Sequence, residues 1–188
     1  MRKLIIILIV STLCLLNCVS HVDSYQIQIH SYGEEYEDKD IDFPQNSTFY
    51  IMPHSYKDAT QSKDAIPKIV NLLERRGLQT TTCFEDADYY MSVEFGIIIE
   101  EDNYESWHCI YVYDGKYLRT KGEIYECWVC IVESRGNREK MKEIINYSFV
   151  LTFDYMGKNV EKELELNTRN LNSVYERLKE VSIGTNEY

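Results

Sequence analysis

The spacing of apolar residues along this chain changes several times, and each change marks an element. Residues 4–16 are almost continuously apolar, with Leu13, Leu15 and Leu16 extending a run that begins at Leu4. Tyr25, Ile27 and Ile29 then alternate with polar residues, which predicts a strand. Residues 34–42 are acidic and poor in aliphatic side chains, the composition of a solvated loop. Residues 48–52 predict a strand stopped by Pro53. Ile66, Ile69, Val70 and Leu73 fall on one face of a helix. With Asp64 as its N-cap, Pro67 falls in the first turn, where a missing N–H does no harm. Gly77, following Arg75 and Arg76, supplies the C-terminal stop.

The second half reads mainly as strands. Residues 80–84 predict a short one, followed by a turn over Glu85, Asp86, Ala87 and Asp88. Tyr89, Met91, Val93, Phe95 and Ile97 alternate with polar or small residues at a strict period of two. Residues 107–113 and 124–132 predict two more strands. Asp114–Gly115 can turn between them, and a longer loop to Gly122 is the alternative. Ser134, Arg135 and Gly136 read as the close of the second strand. Asn137 can cap a helix that turns Met141, Ile144, Ile145, Ser148, Phe149 and Thr152 inward and stops at Gly157. Leu164 and Leu166 suggest a last strand, and residues 172–181 a last short helix. This order predicts the α/β (α+β) class: a two-layer domain with a mixed, mostly antiparallel sheet and two main helices packed on one face. Residues 48–188 would form that single domain, with 18–47 as a lead-in segment and a right-handed βαβ step between residues 48 and 89.

The N-terminal apolar stretch follows Arg2 and Lys3, and no acidic residue precedes Asp23. This is the build of a signal peptide over residues 1–17. It is short for a bilayer span, which needs about 20 residues. Leu15-Leu16-Asn17-Cys18 resembles the lipobox of bacterial lipoproteins, with Asn17 where Gly, Ala or Ser is usual. Lipidation at Cys18 would hold the domain at a membrane surface without spanning it. Cleavage after Ser20 or Ser24, releasing a secreted protein, is the alternative.

Charge narrows the choice of partners. The formal net charge is -11, and removal of Arg2 and Lys3 with the signal leaves it near -13. Nucleic acid and anionic lipid both require clustered Lys and Arg, so the folded part is not expected to bind either directly. Sixteen tyrosines suit strands and half-buried sheet faces.

Phe49-Tyr50-Ile51, the helix through Ile69 to Gly77, Glu85-Asp86-Ala87-Asp88 before the alternating strand, Tyr111-Val112-Tyr113-Asp114, and Glu126-Cys127-Trp128-Val129 with the helix ending at Gly157-Lys158 follow one another in a set order. That order resembles domain of unknown function 4136, an uncharacterised family of bacterial envelope lipoproteins. The resemblance implies an envelope location and a mixed α/β fold, and brings no catalytic residues with it. Asn17 and the four cysteines beyond Cys18 depart from that pattern.

Candidate chemistry is sparse. Cys127 and Cys130 form a C-x-x-C, which at a helix N-terminus could act as a redox pair. Here it lies in a predicted strand, where positions three apart face opposite sides. If strands 107–113 and 124–132 pair with Tyr113 opposite Glu123, Cys109 meets Cys127, a candidate disulfide that an oxidising compartment would permit. The four histidines show no metal-ligand spacing, no G-x-S-x-G is present, and no cofactor is implied. Asn46-Ser47-Thr48 and Asn146-Tyr147-Ser148 fit the short N-glycosylation pattern. Tyr89, Trp107, Tyr111, Tyr113 and Trp128 make a candidate aromatic binding face, with cross-strand core packing as the other reading. These features favour an exported, lipid-anchored envelope protein with a non-enzymatic binding or scaffolding role and an envelope protein as partner. The rivals are a thiol–disulfide oxidoreductase and a ligand-binding module with an aromatic groove.

Overall fold

A computed structural model describes residues 24–33, 40–52, 59–167 and 170–182. Cys18 and the whole proposed signal lie outside the described residues, as does most of the acidic loop. Among the described residues seven strands form one sheet: β1 (Tyr25–Tyr32), β2 (Thr48–Ile51), β3 (Gln79–Thr80), β4 (Tyr89–Glu100), β5 (Asn103–Asp114), β6 (Glu126–Asn137) and β7 (Val160–Leu166). Their order is β3-β2-β4-β5-β6-β1-β7. β2 runs parallel to both β3 and β4, and every other pairing is antiparallel. The mixed, mostly antiparallel sheet read from the sequence is therefore the sheet observed. The segment read as a lead-in supplies β1, which sits inside the sheet between β6 and β7.

Helices α1 (Ala59–Arg75) and α3 (Met141–Asp154) bury their apolar stripes against one sheet face, and α4 (Leu171–Ser182) packs on α3. A short α2 (Gly115–Lys121) joins β5 to β6. Ile69 and Leu73 of α1 meet Ile144, Phe149 and Phe153 of α3 in the same core as Ile27, Ile29, Ile110 and Val132 of the sheet. The C-terminus of α1 closes in a Schellman motif. The Leu78 N–H donates to Leu73 O and the Gly77 N–H to Glu74 O, with Gly77 at φ +74°. Arg76, one residue earlier, donates to the carbonyls of Phe153 and Met156 and so satisfies the end of α3.

Several boundaries differ from the sequence expectation. α1 begins earlier than Asp64, which places Pro67 in the helix interior. Pro67 itself is exposed, so its ring displaces no core side chain there. Instead of a strand over 80–84, β3 ends at Thr80 and a 3-10 turn covers Phe84–Asp86. Asp88 explains the acidic motif there: its carboxylate accepts from both the N–H and the hydroxyl of Thr48, locking the starts of β2 and β4 together. The Asp114–Gly115 turn is the start of α2, where the Asp114 side chain accepts from the Tyr117 N–H and Gly122 at φ +72° ends the helix. β6 does not stop at Ser134-Arg135-Gly136 but runs to Asn137. Gly136 is there for close approach, not for a turn: a Cβ on it would lie 2.4 Å from the Tyr25 ring. Asn137 caps a 3-10 turn (Arg138–Lys140) that leads into α3.

Candidate binding face

Residues paired across a sheet share a face, so the register sorts every strand residue to one side or the other. The covered side carries Ile27 and Ile29 of β1, His108, Ile110 and Val112 of β5, and Cys130 and Val132 of β6. The opposite side carries Glu94, Gly96 and Ile98 of β4, Glu105, Trp107, Cys109, Tyr111 and Tyr113 of β5, and Val129, Ile131, Glu133 and Arg135 of β6. On this second side, packing from α2 and the 3-10 turn reaches only one end, around Tyr90, whose hydroxyl donates to Phe84 O and lies near Arg119. The rest is open.

At the centre of the open side, Trp107 is 39% exposed, with Ile98 and Ile131 exposed near it. Gly96 lies directly opposite Trp107, and the indole covers it so closely that a Cβ there would stand 2.6 Å from the ring. Glycine thus seats the tryptophan flat on the sheet. Replacing Gly96 with valine should tip the indole off the sheet while leaving the covered core intact. Iodide quenching of Trp107 fluorescence should rise, and an unchanged quenching curve would refute the seating. Beyond Trp107, Tyr111 and Tyr113 stack with centroids 6.2 Å apart. Burial raises the Tyr113 phenol to about 12. The Tyr111 phenol is also raised, first by its hydrogen bond with Cys109 and then by burial.

Charge on this side is one-sided. Glu94, Glu105 and Glu133 surround the tryptophan, and the exposed Glu161, Glu163 and Glu165 of β7 continue the same face beyond β1. The basic residues among them are Arg135, whose Nε donates to Gln26 Oε1 at 2.5 Å, and His30 of β1, whose Nδ1 lies 3.9 Å from Glu161 Oε1. A shallow groove of about 390 Å³ runs past Gln26, Ile98, Asn103, Glu105 and Arg135. A smaller adjoining one of about 160 Å³ reaches Trp107 and Glu133.

The aromatic residues singled out from sequence therefore divide. Trp107, Tyr111 and Tyr113 come together on the open side. Tyr89 and Trp128 do not. Tyr89 stacks on Phe49 at 5.1 Å and meets Phe43 edge-on, while Trp128, 1% exposed, donates its indole N–H to Lys158 O at 3.2 Å within the core. The cross-strand disulfide between Cys109 and Cys127 is also corrected. Cys109 pairs opposite Ile131 on the open side, whereas a register shift between Val112 and Tyr113 passes over Cys127 and leaves it in the covered core. That bulge overturns a second expectation, because it brings Cys127 and Cys130 into the same core cluster rather than to opposite faces. No disulfide joins the described cysteines. Burial pushes the Cys109 thiol up to about 11 and the Cys130 thiol to about 12, so neither is a thiolate near neutrality, as nucleophilic redox chemistry would need. Among the described residues no group of His, Cys, Asp or Glu is placed to hold a metal ion, and no helix is long and apolar enough to cross a membrane.

Sequence reasoning missed Gly96, Ile98 and Ile131. Their signal was the alternation of β4 and β6, which becomes informative only once the register is known.

The fold and the site together define a two-layer α/β domain whose sheet is covered on one side and presents an acidic, aromatic-centred surface on the other. No family model matches the chain, and no curated protein does. Solved structures do resemble it. A PDZ domain protein from Parabacteroides distasonis superposes with a TM-score of 0.50 at 11% identity, covering 80% of this chain and 40% of that one. This chain therefore spans about two fifths of that protein's length, and the likeness shows a shared fold alone. Two further chains superpose at lower scores. A PelC dodecamer from Paraburkholderia phytofirmans gives 0.42 at 13% identity over 68% of this chain and 95% of that one. A DUF4136 family protein from Bacteroides thetaiotaomicron gives 0.43 at 11% identity over 70% and 93%. The last belongs to the family that the motif order resembles, and the relation stands as a distant structural likeness.

Proposed function

We propose that this chain is an exported envelope protein, anchored by a lipid on Cys18, that binds or scaffolds a partner through the open face of its sheet without catalysing a reaction. One observation carries the reading. Among the described residues, α1 and α3 cover one side of the sheet, while the other side keeps Trp107, Ile98 and Ile131 in solvent. Large apolar side chains gathered on a surface in this way mark interaction sites. The signal-like N-terminus and the family resemblance support the location. A groove of about 390 Å³ beside Ile98 and Arg135 favours a second reading, a small ligand held on the same face.

Two measurements test the proposal. The intact mass of the protein from its native membrane fraction should correspond to a chain starting at Cys18 plus lipid, and Cys18→Ser should release it to the soluble fraction. A mass starting at His21 or Tyr25 would remove the anchor. A photo-crosslinking amino acid at Ile131 should trap one discrete neighbour in intact cells, and the same group at the exposed Lys142 of α3 should not. Absence of any adduct from both Ile131 and Ile98 would remove the binding role of this face.

A further inference from the structure

We infer that the occupant of the open face is a cationic segment of another polypeptide, a conclusion that rests on the binding role proposed above and specifies its chemistry. The first argument is the balance of charge. Glu94, Glu105 and Glu133 border Trp107, with Arg135 as the basic residue beside them, and Glu161, Glu163 and Glu165 of β7 extend the acidic field across β1, where His30 faces Glu161 alone of the three. A bound lysine or arginine side chain can lay its methylenes along Ile98 or along Ile131, on either side of Trp107, set its charge over the exposed indole, and reach a flanking carboxylate. No other side-chain chemistry uses all three features at once.

The same charge disfavours the other occupants. A lipid surface rich in anionic headgroups would be repelled, so an anchored domain would turn this face away from its own membrane. A nucleic acid would be repelled for the same reason. A second copy meeting this face by two-fold symmetry would set the glutamates of one chain against the same glutamates of the other. Arg135 is held toward Gln26, which leaves the glutamates around Trp107 to the incoming partner.

The test uses the full mature chain, isotopically labelled, and short acetylated peptides that alternate threonine with lysine, arginine, glutamine or glutamate. The lysine and arginine peptides should shift amide signals along β4, β5 and β6 and alter Trp107 fluorescence, and the glutamine and glutamate peptides should not. Replacing both Glu105 and Glu133 with glutamine should weaken binding at least about fivefold, as two lost rim charge pairs would. Replacing Glu74 and Glu139, an equal loss of charge elsewhere, should weaken it less than about twofold. Equal weakening by the two double variants, or shifts scattered over the whole surface, would mean diffuse attraction to an acidic protein and would overturn the inference. Failure of the cationic peptides to bind would overturn it too. Equal binding of the glutamine peptide or a neutral oligosaccharide at the same amides would overturn the cationic partner while leaving the face a binding surface. Crosslinking from Ile131 decides that second question separately.

Discussion

Acidifying the wild-type protein from pH 7 to 4.5 should cost about 2–3 kcal/mol more stability than acidifying the His108→Phe variant over the same range. His108 lies on the covered side of β5, opposite Phe95 and Val132, with Phe149 stacked on its ring at 4.1 Å. Its Nε2 is 2.7 Å from Thr152 Oγ1, and that hydroxyl donates to Ser148 O. Thr152 gives its one proton to Ser148 O, so the imidazole Nε2–H is the donor to Thr152 Oγ1, and it is burial that keeps the ring neutral. Burial lowers the imidazole pKa from 6.5 to about 3. A histidine depressed in the folded state leaves the unfolded chain with more bound protons below pH 6.5. Stability is therefore fully present above 6.5 and is lost as pH falls from there toward 3, by about 1.4 kcal/mol per pH unit. Phenylalanine keeps the stack on Phe149 and removes the titration. Urea unfolding at pH 7, 5.5 and 4.5 measures the difference, which also subtracts the carboxylates common to both proteins. Parallel stability curves would show that folded His108 takes up its proton as readily as the unfolded chain does, and would contradict its burial as a neutral ring.

The second large effect separates the two tryptophans. Trp128→Ala should destabilise the fold by about 3–5 kcal/mol, the range for deleting a fully buried large aromatic. Trp128 fills the core opposite Val112 and ties Lys158 O, which also accepts from the Ser31 hydroxyl, to the sheet. Trp128→Phe should cost less, since ring packing survives and Ser31 still satisfies that carbonyl. Trp107→Ala should change stability by under about 1 kcal/mol, because the indole is half in solvent already. Denaturant titrations of the three variants decide the matter. Comparable losses at Trp107 and Trp128 would mean that both are structural and that the open face is not a surface kept for binding.

That contrast also shows what could be read from the chain. The two tryptophans have the same chemistry and both stand in predicted strands. Period-two alternation found β1 and β4 and fixed which residues of one strand lie together. It could not say how strands face one another, because register is set by pairing partners distant in sequence. The candidate disulfide failed there: the observed pairing places Cys109 opposite Ile131, and the bulge at Cys127 carries no signal of its own in the sequence. Helix ends were legible where glycine takes a positive φ, as at Gly77 and Gly157. A strand end was misread at Gly136, where glycine makes room for the Tyr25 ring within β6 instead of closing it. Pro67 misled as well: its missing N–H pointed to a first turn, whereas the helix begins at Ala59 and carries the proline in its interior. The acidic character of the chain was plain from composition, but its concentration around Trp107 required β1, β4, β5, β6 and β7 to be laid side by side.

Hydroxyl-radical footprinting of the protein in its native envelope, compared with the purified chain, tests the binding face most directly. Trp107 and Phe84 are exposed to similar degrees, 39% and 42%, but Phe84 lies in the 3-10 turn, away from the central open face. Trp107 and Tyr111 should be protected in the envelope and oxidised in the purified protein, with Phe84 oxidised in both. Equal oxidation of Trp107 in the two samples would contradict a partner on this face.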